Sequence, residues 1–169
     1  MADFWANPSI EPKRKFRWVV YTGIFEPWMA KKVTRPGYEV SSTEHQYLNH
    51  SFFYPGRIKW DEVNLTVADT SSPNYDATQS VYRALESAGY IFPDDPNARS
   101  TISKSRSVGV LQQVRIDELS PSGATVGRFI LHNAWITKAA LGDFDYSQNE
   151  IMDVSITLKY DYATFNLGS

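Results

Sequence analysis

The chain has 169 residues, of which 42% are hydrophobic, 14% aromatic and 21% charged, a balance that excludes a disordered polymer and supplies enough apolar surface for one domain over 1–169. Cysteine is absent, which excludes disulfides, thiolate zinc sites and thiol nucleophiles. The net charge of −2 is unevenly placed, with nine Lys/Arg against three acids in 13–59 and eight against fourteen in 60–169, a lopsidedness that fits a solvated surface, a nucleic-acid patch or contact with another copy of the chain.

An N-terminal arm, about 1–14, carries Pro8, Pro12 and a basic run. It lacks the charged and apolar regions of a secretory signal, so a start in a cytoplasm is expected, and no apolar run is long enough to span a bilayer. "KRKFRWVVY" alternates, with Phe16, Trp18 and Val20 on one face, and predicts a first strand. "MAKKV" extends as a short second strand before a turn at Pro36 and Gly37. "SSTEHQYLNHSFFYPG" shows no clean period and ends on a second Pro-Gly turn.

In "RIKWDEVNLTVAD" the apolar phase slips by one at Asp61–Glu62, the mark of a bulge or bend. A helix is predicted over about 74–89, where Val81, Ala84, Leu85 and Ala88 share a face, Asp76 with Gln79 resembles a capping box and Gly89 suits the exit. The loop "IFPDDPNARSTISKS" follows. Alternation then predicts a strand from Val108 through Val110, Gln112, Val114 and Ile116, with Leu111, Gln113, Arg115 and Asp117 on its other face. "TVGRFILHNAWITK", apolar on both faces in its middle, predicts a strand covered on both sides. Finally, "EIMDVSITLKYDY", residues 150–162, alternates throughout. As one strand it would reach about 43 Å at roughly 3.3 Å per residue, about twice a common length.

Catalytic chemistry finds little to stand on. His45 and His50, five apart, would point to opposite faces of a strand, and His132 has no acid near it in sequence, so no metal set converges. The acids at Asp94–Asp95, Asp117–Glu118 and Asp143/Asp145 fall in or beside predicted turns, where carboxylates stay solvated. Neither a nucleophile elbow nor a phosphate-binding glycine motif is present. No catalytic residue, cofactor or metal is expected. The aromatics Tyr47, Phe52, Phe53 and Tyr54 serve either the domain's own core, a contact with a neighbour, or stacking against single-stranded nucleic acid.

The order of parts resembles a known family. "GYEVSSTEHQYLNHSFFYPGRIKWDEVNLTVADTSSPNYDATQSVYRALESAGY" followed by "GRFILHNAWITKAALGDFDYSQNEIMDVSITLKYDY" is similar to the tail tube proteins of contractile-tailed bacteriophages. The most specific piece is a strand ending near Ala134–Trp135, then "LGDFDYSQNEI", then the long alternating strand closing on Tyr160-Asp161-Tyr162. The basic, proline-containing arm departs from the short helix expected there.

The resemblance implies a mainly β fold, an antiparallel β-sandwich or β-barrel with one flanking α-helix, whose copies form hexameric rings. Stacked rings make the hollow inner tube of a virion tail, enclosed by sheath protein, filled with tape-measure protein, started on a baseplate tube initiator and crossed by double-stranded DNA. Strands shared between subunits would close into one large barrel and abolish free edges. On this reading Lys31, Lys32, Arg35, Tyr47, Phe52, Phe53 and Tyr54 are candidates for contact between subunits. The wet face of the last strand, Asp153, Ser155, Thr157, Lys159 and Asp161, is a candidate lining of the lumen, and the face around Gln113, Arg115 and Asp117 is the rival. A lumen that releases DNA should be polar and neutral to acidic, because each phosphate neutralised by Lys or Arg adds affinity. The alternatives are a baseplate tube initiator of the same fold and a β-sandwich carbohydrate-binding module.

Overall fold

The structure, a computed structural model, describes residues 6–168; the first five residues of the expected arm lie outside the described residues. In chain order the elements are β1 (Trp18–Tyr21), a 3-10 turn (Pro27–Met29), β2 (Ala30–Val33), β3 (Tyr38–Tyr47), β4 (His50–Trp60), β5 (Val63–Ala68), α1 (Ala77–Ser87), α2 (Lys104–Leu111), β6 (Val114–Leu119), β7 (Thr125–His132), β8 (Trp135–Ala140), β9 (Asp153–Lys159) and β10 (Tyr162–Leu167). They make two four-stranded sheets, β1-β6-β7-β10 and β2-β5-β9-β8, and a separate two-stranded ribbon, β3-β4. All pairings are antiparallel. The fold is mainly β, and two helices flank the sheets where one was expected.

The core lies between the two four-stranded sheets. Val63, Leu65 and Val67 of β5 face inward beside Val154, Ile156 and Leu158 of β9, meeting Val20, Val114, Ile116 and Leu131 from the other sheet. The two-residue period produces this directly, since Asn64, Thr66, Ser155 and Thr157 take the opposite face. Each fully buried aliphatic side chain here contributes about 1.5–3 kcal/mol.

Helix α1 presents Ala77, Val81 and Ala84 to the core at helical spacing. The Asp76 side chain accepts from the Gln79 amide at 2.8 Å, the N-terminal cap read from sequence. Asp69, at the end of β5, adds a second anchor: its carboxylate accepts from the Ala77 amide at 2.9 Å, the Thr78 hydroxyl at 2.6 Å and the Thr70 amide at 3.0 Å. Gly89 ends the helix region at φ 115, where a Cβ would also lie 2.6 Å from the Thr101 carbonyl oxygen.

Four sequence expectations are corrected. The predicted strand from Val108 begins at Val114, because residues 104–111 form α2. Its cap is Ser103, which accepts from the Arg106 amide at 3.4 Å, and Ser107 and Leu111, four apart, form its buried stripe. The alternation of Val108 and Val110 concealed that period, and Gln112 at φ 56 reverses the chain into β6. The Pro55–Gly56 turn is not a turn: both residues lie inside β4, and the hairpin turns at Leu48–Asn49, with Leu48 at φ 52. Phe16 is exposed, with Trp18 and Val20 alone carrying β1 toward the core.

The fourth concerns the long C-terminal strand. The stretch 150–162 is not one strand. It passes from β9 in one sheet to β10 in the other, just as 125–138 passes from β7 to β8 at Asn133, φ 56. Because β7 pairs with β10 and β8 with β9, these four strands are one long antiparallel ribbon folded over the corner of the sandwich. The corner is pinned: the Asp161 amide donates to the His132 carbonyl at 3.0 Å, while the Asp161 carboxylate accepts from Asn133 Nδ2 at 2.8 Å and from Lys104 Nζ at 2.7 Å. Alternation survives the crossing because Tyr160 still points into the core.

Candidate functional site: the assembly surfaces

The β3-β4 ribbon projects from the sandwich. At roughly 3.3 Å per residue its strands are about 33 Å long, and every residue except Trp60 is exposed. Its base is held by Trp60, whose ring lies 5.6 Å from Tyr38 and 6.2 Å from Tyr160 of the core. The register places His45 opposite Phe52, Tyr47 opposite His50 and Thr43 opposite Tyr54, so Tyr47, Phe52 and Tyr54 share one face, while Phe53, opposite Glu44, lies on the other. The structure thus brings together three of the four predicted aromatics. It also corrects the histidines: the turn between them puts His45 and His50 on the same face. Among the described residues no group of three or more potential ligands is placed to hold a metal ion.

Four strands are sheet edges: β1 and β10 of one sheet, β2 and β8 of the other. Each presents unpaired backbone groups, which natural proteins cover, charge or pair. Asp153, Ser155, Thr157 and Lys159 share the outer face of the β2-β5-β9-β8 sheet. There Ser155 meets Thr66 at 3.2 Å and the Thr157 hydroxyl donates to Asn64 at 2.9 Å. Asp161, the fifth predicted residue of that face, sits instead at the corner of the ribbon. Lys31 and Lys32 lie on β2, and Lys31 Nζ reaches Asp153 at 2.8 Å. By register Lys32 stands opposite Thr66 and Lys138 opposite Thr157, so this face holds more lysine than the neutral-to-acidic lumen expected from sequence.

On the rival face Gln113 is exposed, while Arg115 and Asp117 are engaged within the subunit. Asp117 is 3% exposed, gripped by Arg128 through bonds of 2.7 and 3.1 Å, and Arg115 lies over the Tyr21 ring at 4.1 Å. Glu118 is also buried and takes Lys13 and Arg35 as partners. The reading of Asp117–Glu118 as solvated turn acids is therefore corrected: both stand in β6, where cations distant in sequence neutralise them. Arg35 additionally lies 5.8 Å from the centre of the Phe129 ring. His132 stacks on Tyr162 with ring centres 4.2 Å apart and meets the Thr164 hydroxyl at 3.0 Å, a structural role.

Two further surfaces are grooves, the first of which gathers the predicted contact residues Lys31, Lys32 and Arg35 with the basic N-terminal run. A groove of about 580 Å³ runs between β2 and the segment leading into β1, lined among others by Lys13, Arg14, Lys15, Arg17, Lys32 and Trp18. An apolar groove of about 360 Å³ separates α1 and α2 from edge strand β8, with Val81, Leu85, Ile102 and Trp135 on its walls. Both assemble from segments far apart in the chain.

No family model and no curated protein sequence matches the chain. Solved structures do. A chain of an extracellular contractile injection system, in its sheath/tube terminator in the extended state, is 17% identical with a TM-score of 0.67, over 94% of this chain and 99% of that one. A chain of the anti-feeding prophage baseplate is 14% identical with a TM-score of 0.65, over 93% and 97%. A chain of the extended sheath-tube complex of the contractile injection system is 16% identical with a TM-score of 0.64, over 94% of each. The chain therefore shares its fold with chains of contractile injection system assemblies, a mainly β fold such as the sequence resemblance implied.

Proposed function

We propose that the chain is a non-catalytic tail tube subunit, assembling into stacked hexameric rings that form the hollow inner tube of a contractile tail. The observation that carries this reading is the projecting β3-β4 ribbon. An isolated two-stranded hairpin is marginal in water, and one of this length with Tyr47, Leu48, Phe52 and Tyr54 exposed is stabilised by burial against a neighbour. The four free edges make the same demand on the sandwich.

On this reading Tyr47, Phe52, Phe53 and Tyr54 anchor one set of contacts between copies, and Lys31, Lys32 and Arg35 contribute to another. The outer face bearing Asp153, Ser155, Thr157 and Lys159 lines the lumen, with Asp161 at its margin. Sheath protein surrounds the tube, tape-measure protein fills it, and double-stranded DNA passes through it in a phage particle. The lysines on the lining would slow DNA release in proportion to the phosphates they neutralise. The particle is the site of action, with assembly in the host cytoplasm.

The second reading is a ring that starts or ends the tube, favoured by the similar scores of terminator and baseplate chains. A carbohydrate-binding module accounts less well for aromatics spread along a projecting ribbon. Negative-stain electron microscopy of the purified protein distinguishes these readings. Long hollow polymers are expected; isolated rings would favour the initiator or terminator, and monomers at high concentration would overturn both.

A further inference from the structure

The two electrically opposite surfaces of the chain are arranged so that neither can satisfy the other within one molecule. The groove beside β2 gathers Lys13, Arg14, Lys15, Arg17, Lys32 and Arg35, with Glu118 as its acid. Glu118 already serves Lys13 and Arg35, and Arg17 takes Glu11 at 2.8 Å. Among the described residues no ion pair reaches Arg14, Lys15 or Lys32. Apolar floor is supplied by Trp18, Val33 and Ile116.

The loop between β8 and β9 has the complementary character. It carries Asp143, Asp145 and Glu150, none of them in an ion pair among the described residues. Phe144 is 95% exposed and Tyr146 is fully exposed. The loop is not shapeless: the Asp145 carboxylate accepts from the Ser147 amide at 2.9 Å and from its hydroxyl at 2.7 Å, a local turn that holds the two rings outward.

Placement decides the partner. β2 and β8 are opposite edges of one sheet, so the loop that leaves β8 lies on the far side from the groove. The loop nevertheless leaves the sheet at the end where β2 begins, and the groove runs from that end along β2 through Lys31 and Lys32 to Arg35. β8 ends at Ala140 opposite Ser155, β9 begins opposite Ala68, and Ala30 at the start of β2 stands opposite Val67. When copies join edge to edge, β8 of one beside β2 of the next, the loop of the first arrives at the lysine-bearing start of the second's groove. Resting on the tube reading above, we infer that the acidic aromatic loop 142–151 of each subunit docks in the basic groove of its ring neighbour, a heterologous contact that fixes the direction of subunit addition.

The test uses the full chain in four versions: wild type, loop-reversed (Asp143→Lys with Glu150→Lys), groove-reversed (Lys15→Glu with Lys32→Glu), and both together. Sedimentation at about 50 mM salt should show each reversal raising the concentration needed for assembly by about tenfold or more, with the combined version restored toward wild type. Because the chain lacks cysteine, Tyr146→Cys with Lys32→Cys gives a second readout that tolerates a weakened assembly. Oxidation should yield a ladder of covalent oligomers, whereas Tyr146→Cys with Ser122→Cys should not. Wild-type polymers whose reversals assemble unchanged and whose cysteines do not cross-link would overturn this contact and leave the tube reading standing. A wild type that never assembles would overturn both.

Discussion

Asp69 shows how one carboxylate can fasten two elements. It ends β5 and caps α1 across the intervening loop, accepting from Ala77, Thr78 and Thr70. Burial pushes its pKa up, but the Thr78 hydroxyl and the three backbone amides outweigh this and hold it below its ordinary value of 3.8. A depressed carboxylate pKa contributes stability that is present above the unfolded value and lost as pH falls through the folded one. Asp69→Ala should therefore cost about 1–2 kcal/mol at neutral pH, and Asp69→Asn should flatten the acid limb of stability below about pH 4; urea denaturation across pH measures both. Tyr160 is the opposite case. Its hydroxyl is buried without a hydrogen-bond partner among the described residues, and burial, helped by Asp61, raises its pKa to about 12. The neutral phenol is favoured in the folded state, so stability should be retained below about pH 10 and decline as pH rises through the folded value. Tyr160→Phe should remove that alkaline loss and leave neutral-pH stability equal or up to about 1 kcal/mol higher, read from thermal unfolding at pH 7 and pH 11. Sequence revealed the cap at Asp76 because donor and acceptor are three residues apart. Asp69 was invisible because its partners converge only through a loop.

At the scale of elements, local period was legible and the path of the chain was not. Val63, Leu65 and Val67, and Val154, Ile156 and Leu158, announced buried strand faces that the structure contains. The same period ran on through Asp161, where the ribbon turns a corner, since Tyr160 keeps the inward phase while the chain changes sheets. Helix α2 departs from the expected strand for a related reason: Val108 and Val110 satisfy a two-residue period by accident of composition, and the deciding cap at Ser103 is weak in sequence. The ribbon β3-β4 lacked a period because neither face is buried in the subunit, so nothing in its own fold constrains alternation. That exposure has a measurable consequence. Phe52→Ser with Tyr54→Ser should change the unfolding free energy of the monomer by less than about 1 kcal/mol. The same pair should raise the critical concentration for assembly by roughly tenfold or more, as loss of aromatic anchors does; urea unfolding of the monomer and sedimentation of the polymer separate the two effects. A large loss of monomer stability with unaltered assembly would mean that the rings serve the subunit itself.

At the scale of the molecule, each four-stranded sheet ends in two free edges, and the fate of β8 separates a finished sandwich from a segment of a larger barrel. β8 pairs with β9 on one side only. Along such an edge, successive residues alternate between sending their backbone groups to the partner strand and sending them outward. Proline removes one N–H wherever it stands. Placed at two consecutive positions in separate variants, Ala139→Pro and Ala140→Pro, it removes an inward donor in one and an outward donor in the other. If the outward groups are spent on a neighbouring subunit, one variant should lose stability as a monomer, by about 3 kcal/mol or more. The other should fold within about 1 kcal/mol of wild type yet fail to polymerise. Chemical denaturation of the monomer and electron microscopy of the same preparations measure the two outcomes. Two variants that both assemble normally would mean that ring closure does not use this edge, and the joining of subunits would then have to rest on the β3-β4 ribbon and the apolar groove beside α1 and α2.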